Sequence, residues 1–165
     1  MFKLIIFIFS SFIISTPAIA EYSAGLNAYS NGDYVISLEE FRDSARMGHA
    51  KSEFMLGVQY FNGLGVEKDR SIAAIYFHLA AEKGNPEAQL AFGSIFIKGV
   101  GVWQNLVYAH YWLTLAASHK DSALQEHAEA LKIAMESLMT KKEIESSNQL
   151  ASDWHSGRSG IVFEN

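Results

Sequence analysis

GHAKSEFMLG, residues 48–57, returns as GNPEAQLAFG, residues 84–93. Both stretches run from glycine to glycine, and the second lies 36 residues after the first. The correspondence continues downstream. Gly63-Leu64-Gly65-Val66 comes back as Gly99-Val100-Gly101-Val102, and Ala73, Phe77, Ala80 and Ala81 come back as Ala109, Leu113, Ala116 and Ala117. A fixed period of this length marks a solenoid, whose units bury an apolar face only by stacking on their neighbours.

Outward from the repeat toward the N-terminus, the chain changes character. Met1-Phe2-Lys3 is a short basic start, Leu4–Ile14 is almost wholly apolar, and Ala18-Ile19-Ala20 is a small-x-small site. This is the layout of a secretory signal peptide, residues 1–20. An apolar run of that length is short of the roughly 20 residues a bilayer span requires. The expectation is an exported mature chain that starts at Glu21, with no membrane span and a periplasmic or extracellular location. Without Lys3, 12 basic residues stand against 18 acidic ones, a net charge of −6. Such a balance gives no attraction for nucleic acid or anionic lipid. The chain has no cysteine, hence no disulfide and no thiol chemistry.

The mature chain reads as all helical, with only Pro86 beyond the signal segment and with Gly, Asn and Asp at regular intervals. The breaks predict helices over 22–30, 34–46, 50–62, 70–83, 86–98, 106–118, 122–138 and 141–154. Asp69, Asn105, Asp121 and Thr140 precede helices as capping residues, and Pro86 falls in a first turn, where its missing N–H costs nothing. Gly57 and Gly93 lie mid-helix, where glycine costs about 1 kcal/mol against alanine. A glycine that recurs there predicts a partner helix too close for a Cβ. The Ala73/Phe77/Ala80 and Ala109/Leu113/Ala116 stripes, with Ser37/Phe41/Ser44 as a weaker copy, each occupy one helix face and predict core. The fold class is all-α: a right-handed α/α superhelix of about four antiparallel helix pairs. Its units cover about 21–49, 50–85 and 86–120. A capping pair at 121–155 and a tail at 156–165 follow.

Leu56-Gly57-x-x-Tyr60 followed by Ala73-x-x-x-Phe77 resembles the tetratricopeptide pattern, with a longer period. The extra length is the glycine-rich linker Gly63–Asp69, and the whole string at 52–84, repeated at 88–119 with Trp112, resembles the Sel-1-like repeat. The first unit departs by passing from Gly32 directly to Asp33, and the last pair has lost the consensus. The resemblance implies a protein–protein interaction scaffold without cofactor or catalysis. Bacterial members of that kind are associated with envelope assembly, cell-wall enzymes and host contact. A second class, a cell-wall-directed hydrolytic enzyme or its accessory, stays open at this point.

His49, His78, His110, His119, His127 and His155 share no metal-ligand spacing, and no G-x-S-x-G occurs. The glycines at 63–65 and 99–101 lack the lysine and hydroxyl of a phosphate loop and read as turns. A carboxylate pair for glycoside hydrolysis would leave no trace in sequence spacing.

In helix-pair solenoids the first helix of each pair lines the concave side. Placing Gly57 and Gly93 at the small position puts Lys51, Phe54, Val58, Phe61 and Asn62 on that side, followed by Glu87, Leu90, Ser94, Ile97 and Lys98. Ser23, Asn27, Ser30 and Asn31 extend the set into the first unit. These are the candidate contacts for a protein or peptide partner. Their apolar members either form an open interface or pack against adjacent helices. The face is also open to self-association, and the tail, with Ile161-Val162-Phe163, is a further docking candidate.

Overall fold

The computed structural model describes residues 17–120 and 122–157, and all regular structure among them is α-helix. The helices are α1 (Pro17–Asn31), α2 (Tyr34–Arg46), α3 (Ala50–Asn62), α4 (Arg70–Glu82), α5 (Pro86–Lys98), α6 (Leu106–Ala117), α7 (Ser122–Glu136) and α8 (Lys141–His155). Most of the expected signal segment, the cap assigned to Asp121 and the apolar tail lie outside the described residues. α1 starts at Pro17 and runs through the expected Ala20–Glu21 junction, and the hydroxyl of buried Ser44 donates to the carbonyl of Ala18 at 2.6 Å.

Local chemistry accounts for the helix ends. The Asp69 carboxylate accepts from the N–H groups of Ser71 and Ile72, and Asn85 and Asn105 accept from Ala88 and Tyr108. Each thereby satisfies donors that a helix start leaves open. Thr140 and Glu143 form a reciprocal capping box at α8. α3 and α5 both end on a left-handed glycine, Gly63 and Gly99.

Three pairs form, α1 with α2, α3 with α4 and α5 with α6, and each is closed by one glycine. A Cβ on Gly57 would lie 2.5 Å from the Phe77 ring, on Gly25 2.6 Å from the Phe41 ring, and on Gly93 3.0 Å from Leu113 Cγ. Absence of a side chain on one helix is what admits a large one from the other. Phe41, Leu56, Phe77, Phe92, Trp112 and Leu113 fill the core that results.

The pairs stack through contacts that recur at the repeat period. A Cβ on Gly65 would collide with the carbonyl of Tyr34 at the start of α2, and one on Gly101 with that of Arg70 at the start of α4. Both glycines have positive φ. The linker of each unit is therefore pressed onto the preceding unit, and only glycine meets both demands. Within the second and third pairs the helices are also tied by a polar contact, Lys83 to Glu53 at 2.5 Å and, 36 residues on, His119 to Gln89 at 3.1 Å.

The far end departs from this pattern. Glu129 stands where Gly57 and Gly93 stand in the earlier units, and a glutamate there denies a fourth helix the same close approach. α8 scarcely touches α7; both helices dock on α6. His110 of α6, fully buried, joins them: Nε2 lies 3.0 Å from Glu136 of α7, and Nδ1 hydrogen-bonds the hydroxyl of Ser147 of α8.

Candidate partner-binding face

The candidate contacts divide by exposure. Lys51, Asn62, Glu87 and Lys98 are exposed, whereas Phe54, Val58, Phe61, Leu90, Ser94 and Ile97 are half-buried. The apolar members pack one side against the core and leave the other open. Phe54 and Phe61 flank Phe77, with ring centroids 5.8 and 6.3 Å away, and the guanidinium of Arg70 sits 5.8 Å over the Phe61 ring. Ser94 spends its hydroxyl on the carbonyl of Leu90, and Asn62 its amide on that of Val58. Neither gives the face a rigid polar anchor.

Gly25 changes the reading of the first unit. Its contact with Phe41 makes it the counterpart of Gly57, so Tyr22, Leu26 and Tyr29 correspond to Phe54, Val58 and Phe61. The ring contacts agree: Tyr22 lies 5.9 Å from Phe41 as Phe54 lies 5.8 Å from Phe77. Ser23 and Asn27 are exposed beside this stripe instead of forming it. In the fourth helix of the series the equivalent positions are Glu126, Ala130 and Ile133. A spacing of 16 residues from Gly25 to Phe41, where Gly57 and Phe77 are 20 apart, conceals the relation in the sequence.

The stripe thus runs Tyr22/Leu26/Tyr29, Phe54/Val58/Phe61, Leu90/Ser94/Ile97 and Glu126/Ala130/Ile133, grading from aromatic to mixed. Apolar surface with charged residues at its margin suits a partner that offers apolar side chains and a polar backbone.

One constellation has the members of a hydrolytic triad: Ser147, His110 and Glu136. Ser147 and His110 are both fully buried, so the group works as a tie between three helices. Other histidines make structural contacts: His49 with Ser52 at 2.9 Å, His78 with Glu82 at 3.4 Å, His119 with Gln89. Burial, then the charge of Lys51, hold the His49 imidazole below its ordinary range. Burial pushes the Tyr111 hydroxyl well up. Among the described residues no group of three or more His, Asp or Glu is placed to hold a metal ion, and no helix is long and apolar enough to cross a membrane.

The Sel1 repeat family model matches residues 50–85 and 86–121, the spans of α3–α4 and α5–α6. Protein sel-1 homolog 2 of Homo sapiens is 38% identical over 118 residues, covering 72% of this chain and 17% of that protein. Chitin synthase regulatory factor 1 of Schizosaccharomyces pombe is 36% identical over 58 residues, 34% of this chain and 13% of that one. The chain thus spans less than a fifth of the length of these relatives. Among solved structures, a Sel1 repeat protein from Oxalobacter formigenes superposes with a TM-score of 0.65 at 25% identity, over 81% of this chain and 55% of that one. A protective antigen present in uropathogenic Escherichia coli strains, displaying an SLR fold, gives 0.78 at 24% identity over 90% of this chain and 35% of that one. At that identity the likeness concerns the fold alone.

Proposed function

The chain is a Sel1-like repeat protein, and we propose that it is an exported scaffold that captures a protein or peptide along the stripe its first helices present. Sel1-repeat proteins act as protein-interaction scaffolds. The observation that carries the finer reading is the recurrence of half-open apolar side chains at the same register positions of successive helices, with Lys51, Asn62, Glu87 and Lys98 at the margin. Export, and work in envelope or cell-wall assembly or at host contact, rest on the N-terminal sequence and on the family resemblance.

Affinity capture from the native envelope followed by mass spectrometry tests it. Lys51→Glu, Leu90→Ser and Lys98→Glu, combined, should lose the partner that wild type retains, with unchanged circular dichroism. Equal recovery by both would move the binding site off this face. N-terminal sequencing of the exported protein should begin at Glu21; a start at Met1 in a cytosolic fraction would overturn export.

A further inference from the structure

The outer face of α4 carries apolar residues that nothing among the described residues covers. Ile75 is 59% exposed, Leu79 42%, and Trp103, in the linker that Gly101 presses onto the start of α4, 93%. The repeat supplies its own comparison. One period earlier, on α2, the positions of Ile75 and Leu79 are Glu39 and Asp43, both exposed. One period later, on α6, they are Tyr111 and Leu115, both fully buried on the helix where α7 and α8 dock. Trp103 likewise stands where the preceding unit has Glu67. Apolar side chains at these positions are thus found buried on one helix, replaced by charge on another, and left open only on α4.

From this pattern and from the charges around it we infer that α4 is the interface for a second copy of this chain, packed antiparallel about a two-fold axis at Ile75. Residues 71, 75, 79 and 82 fall within one narrow arc of the helix, and Lys68 stands in the linker just before its cap, Asp69. An antiparallel crossing at Ile75 sets Ile75 against itself, Leu79 of the second copy over Ser71, and Glu82 of the second copy opposite Lys68. Symmetry makes every such contact twice. Lys68 is exposed and has no ion pair among the described residues, and Glu82, which lies 3.4 Å from His78 of its own copy, is exposed as well, so two complementary charge pairs result where a parallel crossing would set like charges together. Ser71 helps line a mostly apolar notch of about 320 Å³, with Ala74, Ile75, His78, Phe92, Phe96 and Val102, open to receive Leu79 of the second copy. Trp103 stands at its rim. Covering these side chains in both copies removes on the order of 1,000 Å² of surface. That lies at the lower end of specific interfaces. This inference concerns a face separate from the stripe of the first helices and does not rest on that reading.

Sedimentation equilibrium of the purified chain from about 1 to 100 µM should show a monomer–dimer transition. Ile75→Glu and Trp103→Glu install what the chain already carries at Glu39 and Glu67, so the fold is kept, and each should leave a monomer throughout. Lys68→Glu should weaken the dimer about tenfold, and Glu82→Lys added to it should restore the affinity. A wild type that stays monomeric over the whole range, or a dimer indifferent to Ile75→Glu, would overturn the interface. Loss of the dimer in Lys68→Glu without recovery in the double variant would overturn the antiparallel arrangement. The charge variants change exposed positions only, so they decide the matter even if Trp103→Glu disturbs its linker.

Discussion

Gly57 of α3 faces Phe77 of α4 so closely that a Cβ on the glycine would lie 2.5 Å from Cδ1 and from Cε1 of the ring. Gly57→Ala therefore sets about 1 kcal/mol of gained helix propensity against a forced shift of a buried ring, which costs about 1–3 kcal/mol. A net loss is expected. At Gly93 the nearest atom, Leu113 Cγ, is 3.0 Å away and belongs to a smaller side chain, so Gly93→Ala should cost less than Gly57→Ala. Thermal unfolding of both gives the order, and a Gly57→Ala variant more stable than wild type would refute close approach as the role of that glycine.

The linker glycines test stacking instead of pairing. Gly65 and Gly101 have φ of 68° and 76° and touch the first carbonyls of α2 and α4 in the preceding unit. Alanine at either position meets a backbone conformation it rarely adopts together with a collision, a loss of roughly 2–3 kcal/mol. Gly32 also has positive φ, but its Cβ would meet nothing. Gly32→Ala should cost only the conformational part, about 1 kcal/mol. Equal destabilisation at Gly32 and Gly65, measured by chemical unfolding, would mean that the linkers do not join the units.

Much of this architecture was legible beforehand because it repeats. Local punctuation located seven of the eight helices to within a residue or two at each end, all but the first, and Asp69, Asn105 and Thr140 cap as their positions implied. The final helix was different. Its extent could be read from Thr140 and Glu143, but its place on α6 instead of α7 depends on Glu129 closing one site and on His110 and Ser147 opening another. Those are contacts between distant segments, with no local signature. The binding stripe was half legible: positions on α3 and α5 followed from Gly57 and Gly93, while Tyr22, Leu26 and Tyr29 awaited the pairing of Gly25 with Phe41. Whether an apolar residue on such a face is open or packed is a matter of neighbouring rings, as Phe54 and Phe61 show against Phe77.

Phe77 separates stability from binding. It is 4% exposed and is held by Gly57, Phe54 and Phe61. Phe77→Ala should cost about 3–5 kcal/mol through lost burial and a residual cavity. Leu90→Ser changes a half-buried side chain and should cost less than half of that. If Leu90→Ser unfolds as readily as Phe77→Ala, Leu90 is core and contributes no open surface to the stripe.

Acid should loosen the junction of the first two units. His49 stacks on Tyr22 at 4.7 Å and bonds Ser52, and burial, followed by Lys51, lowers its pKa. The unfolded chain therefore takes up this proton at a higher pH than the folded one. Stability from His49 is complete above the ordinary histidine pKa of about 6.5 and declines as the pH falls from there toward the folded value. Melting temperatures between pH 8 and 5 should fall more steeply for wild type than for His49→Gln. Parallel curves would remove His49 from the acid response.

The cap gives the last test. His110 is fully buried, and its partners assign the proton: Glu136 can only accept, so Nε2 donates to it, and Nδ1 then accepts from the Ser147 hydroxyl. His110→Phe keeps the aromatic volume and removes both bonds. Glu136, whose side chain is 37% exposed, can turn to water, whereas Ser147, fully buried, cannot. The loss should be about 2–3 kcal/mol, most of it the orphaned hydroxyl. Because α7 and α8 both dock on α6 and scarcely on each other, the amides of these two helices should gain hydrogen exchange before those of α3 to α5. Adding Ser147→Ala to His110→Phe removes the orphan and should recover part of the loss, since taking away both partners of a buried hydrogen bond is nearly neutral. If the double variant is no more stable than His110→Phe, the Ser147 hydroxyl is satisfied elsewhere and His110 holds α8 by packing alone.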